Sequence, residues 1–150
     1  NNVFGQLALG HHTHQLTPKL VNSNTFNNEK VMKVCCGFVH TLLLTDTGNV
    51  YSCGDNHHGD LGLGHNTSIN TFQCIELNRF GNEKVKDIKA GEFSLAITES
   101  GALYSWGYNG YGQLGLNDTT NRSTPHLIDS SHFKGEKVIK DKYSKYTLVP

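Results

Sequence analysis

Two stretches of this chain recur in triplicate at an almost constant interval, and that periodicity constrains the fold more than any other feature. NVFGQLALG begins at Asn2, NHHGDLGLG at Asn56 and NGYGQLGLN at Asn109, offsets of 54 and 53 residues. EKVMKVCCG from Glu29 returns as EKVKDIKAG from Glu83 and EKVIKDKYS from Glu136, at the same offsets. The positions between fall into columns without gaps. Phe26, Phe80 and Phe133 share one column, Leu20, Cys74 and Leu127 another, and Val21, Ile75 and Ile128 the next. Leu7, Leu61 and Leu114 share a further column, as do Leu9, Leu63 and Leu116.

Each unit reads as β-structure. HTLLLTDTGNVYSCG, from His40 to Gly54, is two short apolar runs around Asp46-Thr47-Gly48-Asn49. SLAITESGALYSWG, from Ser94 to Gly107, repeats the design around Glu99-Ser100-Gly101-Ala102. Gly48 and Gly101 stand where a tight hairpin needs a residue at positive φ, which a side chain resists. Val31 to Cys36 reads as a further strand and Lys19 to Val21 as a short one, and no apolar stripe of helical period occurs. The expected fold is all-β: about three tandem repeats of 53–54 residues, each giving roughly four short antiparallel strands, as in a propeller blade. One partial propeller domain spans 1–150, with units at 1–36, 37–90 and 91–143 and a degenerate further unit starting at 144–150. The chain begins without Met, and is expected to be a piece of a longer one.

Composition excludes several classes. No apolar run approaches the length of a membrane span, and the N-terminus lacks the basic start and apolar core of a signal peptide. Basic and acidic side chains balance at 13 each, whereas sequence-independent nucleic-acid binding needs clustered cations. Near the C-terminus, Lys134, Lys137, Lys140, Lys142 and Lys145 are interrupted by Glu136 and Asp141, which reads as a solvated edge rather than a DNA-binding patch. Cys35, Cys36, Cys53 and Cys74 form no C-x-x-C pair, so free thiols in an intracellular compartment, cytoplasmic or nuclear, are expected. Cys53, Cys74 and Cys36 share columns with apolar residues and are expected to be buried; Cys35 shares its column with Lys89 and is expected at the surface.

Candidate chemistry resolves into architecture. GYNGYG resembles a phosphate-binding glycine loop, but no helix follows it. His11, His12 and His14 cluster in one loop and His57, His58 and His65 in the next, at varying positions that read as polar loop residues rather than zinc ligands. His40 lies inside a repeated motif with no catalytic partner at a recognisable spacing. It is expected to hydrogen-bond the backbone of a neighbouring Gly-rich turn. No catalytic residue, cofactor or metal is implied.

VCCGFVHTLLL, from Val34 to Leu44, resembles the signature of the regulator of chromosome condensation repeats: two small residues, Gly, two variable positions, His, Thr, then aliphatics. VYSCGDNHHGDLGLG and LYSWGYNGYGQLGLN resemble that family's second hallmark, a Tyr-x-x-Gly strand followed by a Gly-Gln-Leu-Gly-Leu loop. The resemblance covers essentially the whole chain and marks Gly37, His40, Gly48, Gly54, Gly59, Gly62, Gly91, Gly101, Gly107, Gly112 and Gly115 as structural signature positions. In the second unit Ser94 replaces the signature His; in the third, Ser144 stands at the Gly position and Asp141 at an aliphatic one. Asp60 replaces the usual Gln of the loop.

The resemblance implies a seven-bladed ring, completed by the rest of a parent chain or by another chain, and a module that presents loops to a protein partner in a scaffold or regulatory role. Contact candidates are Asp55, Asn56, His57, His58, Asp60, Tyr108, Asn109 and Tyr111. Two alternatives stay open. One is guanine-nucleotide exchange on a Ran-like small GTPase, with chromatin association; in that family exchange uses a protruding β-wedge, for which the regular spacing here leaves no room. The other is a regulatory propeller fused to a ubiquitin ligase or kinase. A plant ultraviolet photoreceptor would need clustered tryptophans, and this chain has Trp106 alone.

Overall fold

A computed structural model of the chain describes residues 1–133, 137–140 and 146–149. Of the C-terminal lysine run and the decayed third signature, Lys134, Glu136, Asp141, Lys142, Ser144 and Lys145 lie outside the described residues. The described residues hold no α-helix and build two four-stranded antiparallel sheets. The first is β1 (Val31–Cys36), β2 (His40–Thr45), β3 (Val50–Gly54) and β4 (Ile69–Ile75), in that spatial order. The second repeats it as β5 (Val85–Ala90), β6 (Phe93–Thr98), β7 (Leu103–Gly107) and β8 (Arg122–Leu127). A hairpin of β9 (Lys137–Lys140) and β10 (Tyr146–Val149) follows.

The repetition extends to irregularities. The register slips between Val31 and Lys33 and again between Val85 and Asp87; it slips between Ser52 and Gly54 and again between Ser105 and Gly107. Each slip adds twist to its strand. The hairpin turns carry Gly48 at φ 87° and Gly101 at φ 92°, the left-handed region the turn type demands. A unit cut at 37 and 90 takes β2, β3 and β4 from one sheet and the first strand of the next.

One core lies between the two sheets. Leu42, Leu44, Val50 and Ile75 of the first sheet meet Val85, Ile88, Ala96, Tyr104 and Trp106 of the second, with Phe80 between them. Phe80 ends a 3-10 turn, Leu77–Phe80, that links β4 to β5. Its ring stands edge-on to Tyr104 at 5.5 Å and to Trp106 at 5.9 Å. Phe26 does the same one repeat earlier, ending the turn Ser23–Phe26 and meeting Tyr51 edge-on at 6.3 Å. The Phe column therefore ties each linker to the sheet that follows it. Lys33 of β1 adds an ion pair to buried Asp87 of β5 and donates to the Ile88 carbonyl at 2.8 Å.

Three expectations are corrected. Lys19 to Val21 forms no strand, because no neighbouring strand lies alongside it among the described residues to complete a ladder. Its column is a strand only where β3 or β7 supplies the partner. Cys36 and Cys74 are exposed, while Cys35 is half-buried against the core and donates to the Ile88 carbonyl at 3.2 Å. Cys35 is covered because the next sheet packs on it through β5, whereas Cys36, whose column partner Ala90 packs against the core between the sheets, has no such cover among the described residues. Cys74 is exposed, as are its column partners Leu20 (96%) and, at the outer strand β8, Leu127 (56%). Cys53 is buried, as its apolar column implied.

Candidate functional site

The loops after β3 and β7 are built on a buried asparagine. Asn56 donates from its amide to the carbonyls of His65 (2.8 Å) and Thr67 (3.1 Å), accepts from the Leu61 N–H (3.0 Å), and its own N–H reaches Ser68 Oγ (3.1 Å). Asn109 repeats every bond, with the carbonyls of Asp118 and Thr120, the Leu114 N–H and Asn121 Oδ1. Asn2 repeats them with His11, Thr13, Leu7 and His14. Only an amide offers two donors and an acceptor in this arrangement. All three asparagines are fully buried. Asn56 and Asn109, expected as contacts, are buried and instead hold the shape of their loops. Their recurrence at offsets of 54 and 53 was the signal that could have identified the role.

His40 is likewise corrected. Its Nε2 lies 2.9 Å from Ser94 Oγ, and Ser94 in turn donates to the Asp60 carbonyl at 2.9 Å. The histidine thus reaches the Gly-rich loop through the serine that occupies its own column in the next unit, not directly. Trp106 Nε1 donates to the same carbonyl at 2.9 Å. Burial pushes the His40 imidazole down to about 4, partly opposed by Asp55. Gly37 leaves room for that ring: a Cβ there would lie 2.5 Å from His40 Cε1. Gly91, its counterpart, would meet nothing within 4 Å and has no positive φ, so neither space nor backbone demands glycine there.

Asp55 and Asp60 are also interior. Asp55 accepts from His57 Nδ1 (2.5 Å) and Ser68 Oγ (3.0 Å). Asp60 accepts from the Tyr108 N–H (3.1 Å), and burial raises its carboxyl above the ordinary range, opposed by that N–H and by His58. What remains at the surface is aromatic. Tyr111 is 85% exposed and Phe38 76%. Half-buried Tyr108 packs between His58, centroids 4.9 Å apart, and Tyr111, at 6.1 Å. Phe38 was missed by sequence reasoning, which read it as a variable signature position; its large apolar side chain in a turn was the available sign.

Phe38, His58 and Tyr108 border one groove of about 260 Å³, with Tyr111 beside Tyr108 outside its lining, where four segments meet: the β1–β2 turn, the β5–β6 turn and the loops after β3 and β7. Phe38, Asp55, His58, Glu92 and Tyr108 line it, over Val39, His40, Asp60 and Gly91. The turns are tied together by the Phe38 N–H to the Gly91 carbonyl (3.1 Å) and the Asp55 N–H to the Val39 carbonyl (2.9 Å). Its rim therefore sits on rigid sheets, the arrangement that favours recognition. Among the described residues, no three His, Cys, Asp or Glu side chains converge on a metal position, and no helix is long and apolar enough to cross a membrane.

The family model for the Regulator of chromosome condensation (RCC1) repeat matches residues 1–44, 47–97 and 100–140, and a second model of the same repeat matches 31–60 and 85–113. The X-linked retinitis pigmentosa GTPase regulator of Homo sapiens is 41% identical over 130 residues, covering 85% of this chain and 12% of its own. The human Probable E3 ubiquitin-protein ligase HERC4 is 32% identical, over 79% of this chain and 11% of its own length. The Serine/threonine-protein kinase Nek9 of Xenopus laevis is 31% identical, over 86% of this chain and 14% of its own. The crystal structure of human WBSCR16 superposes with a TM-score of 0.73 at 28% identity, over 93% of this chain and 35% of that one. Prp20p of Saccharomyces cerevisiae, a structure described with its binding to Gsp1p and histones, superposes with a TM-score of 0.76 at 20% identity, over 92% and 35%. The chain thus spans a small fraction of the relatives it matches.

Proposed function

Because the chain belongs to the regulator of chromosome condensation repeat family, and is a segment of its propeller, we propose that it is a non-enzymatic interaction module whose partner seats on the groove between the first two sheets. The observation that carries this is the exposed aromatic set Phe38, Tyr108 and Tyr111, mounted on loops that buried asparagines hold rigid. Exposed aromatics of this kind dominate the energy of protein interfaces when covered, and rigid loops lose little entropy on binding. His57 and His58 complete the contact set, and the setting is intracellular.

Site-specific photo-crosslinking tests it. A benzophenone side chain at Tyr111 in the intact protein should capture a defined partner, while the same group at exposed Asn78, beyond β4, should not. Equal capture at both positions, or capture at Asn78 alone, overturns the reading.

A second reading has the partner be a small GTPase. It is favoured by the 41% identity to a protein named a GTPase regulator. Nucleotide exchange would then draw on parts of the propeller outside this segment. An exchange assay with a Ran-type GTPase and the intact protein tests it; no acceleration at micromolar protein sinks the exchange activity. Attachment to a ligase or kinase, as in HERC4 and Nek9, would make the module a regulatory or targeting arm.

A further inference from the structure

The groove's chemistry specifies more than an apolar partner, and the inference here rests on the proposed interaction face. Its rim is aromatic: Phe38 of the β1–β2 turn, and Tyr108 with His58 packed against it. Its charged lining groups are all carboxylates, Asp55 and Asp60 toward the floor and Glu92 exposed at the lip. Among the described residues, no lysine or arginine lines it. His40, on the floor, stays neutral near pH 7 and brings no opposing charge. Beside Glu92, Gly91 leaves open space where a side chain would otherwise stand. We propose that the groove between the first two sheets receives an arginine side chain from an extended segment of the partner protein, its guanidinium lying against Phe38 and Tyr108 and facing Glu92 and Asp55.

The physical case is one of matched properties. A guanidinium is planar and weakly hydrated, so it stacks on aromatic faces at low desolvation cost while its edge donates to carboxylates. A lysine ammonium, compact and strongly hydrated, gains less from the same walls. Nucleic acid could stack on the rings, but its phosphates would face three carboxylates with no cation in the lining to offset them. The departure of Asp60 from the glutamine usual at its loop position adds one of those three acidic groups.

Fluorescence anisotropy of the intact protein with a fluorescein-labelled (Gly-Arg)4 peptide tests this, against the same peptide with citrulline, which keeps the shape and removes the charge. The citrulline peptide should bind at least about tenfold more weakly, and Phe38→Ala and Glu92→Gln should each weaken the arginine peptide about three- to tenfold. Gly91→Leu fills the open space and should abolish binding; exposed Glu92→Gln keeps the test decisive if that variant does not fold. Glu99→Gln, an exposed carboxylate outside the groove, should change nothing.

Equal affinity for the citrulline peptide overturns the proposal. So does an arginine affinity indifferent to Phe38→Ala and Glu92→Gln, or tighter binding of a fluorescein-labelled oligothymidine. Crosslinking at Tyr111 that persists while the arginine peptide fails sinks the cation assignment and leaves the interaction face standing. Loss of both sinks the reading beneath it.

Discussion

The base and the tip of the loop after β3 obey different rules, and the loop after β7 shows the same division. At the base, Asn56 and Asn109 make the same set of bonds to the same loop positions, fully buried. At the tip, His57 and His58 stand where the other loop has Gly110 and Tyr111, and all four are exposed. Recurrence thus marks residues that hold the architecture. Variation marks residues free to contact something else.

The seam between sheets belongs with the base. Trp106→Ala removes the ring that packs on Phe80 and the indole N–H that reaches the Asp60 carbonyl. It should destabilise by about 4 kcal/mol in urea unfolding of the intact protein. A base-like response from Tyr111→Ala would break the comparison.

Acid probes the same seam without mutation. His40 sits at about 4 in the fold and near 6.5 when unfolded, so the unfolded state takes up its proton first as pH falls. Its neutral burial therefore contributes full stability above about pH 6.5, and the contribution declines as pH drops toward 4. The loss should reach about 3 kcal/mol, as an order of magnitude. His40→Gln should flatten that part of the pH–stability curve; an unchanged slope contradicts the assignment.

Asn56→Ala leaves the Leu61 N–H and two loop carbonyls without their partner. It should cost about 2 kcal/mol by chemical denaturation. Next in size is a pair of matched glycines. Gly37→Ala drives a methyl onto the His40 ring and should cost about 1–3 kcal/mol. Gly91→Ala meets open space and should change the unfolding midpoint little; equal costs for the two would mean the signature glycine has a role beyond clearance. Smallest of all, Phe38→Ala and Tyr111→Ala should stay within about 0.5 kcal/mol in thermal melts, as exposed positions do.

Much of this was legible in the chain. The all-β repeat, the hairpin glycines Gly48 and Gly101 and the burial of Leu61 and Leu114 follow from residues recurring in register. Less legible was anything that depends on two units meeting. Leu7 shares the column of Leu61 and Leu114, yet is 36% exposed where they are fully buried, because burial there requires a neighbouring sheet. Cys35 and Cys36 exchanged their expected places because β5 of the next sheet covers Cys35, while among the described residues nothing covers Cys36 as the core covers its column partner Ala90.

By itself, the sequence determined the period, the strands and the family, because each is written in local patterns repeated every 53 or 54 residues. Only the tertiary structure decided that Ser94 relays His40 to the next loop. It alone brought Phe38, Glu92 and Tyr108, up to 70 residues apart in the chain, to one groove. The physical reason is that a repeat specifies its own sheet locally, while a site between sheets exists only after two units have packed.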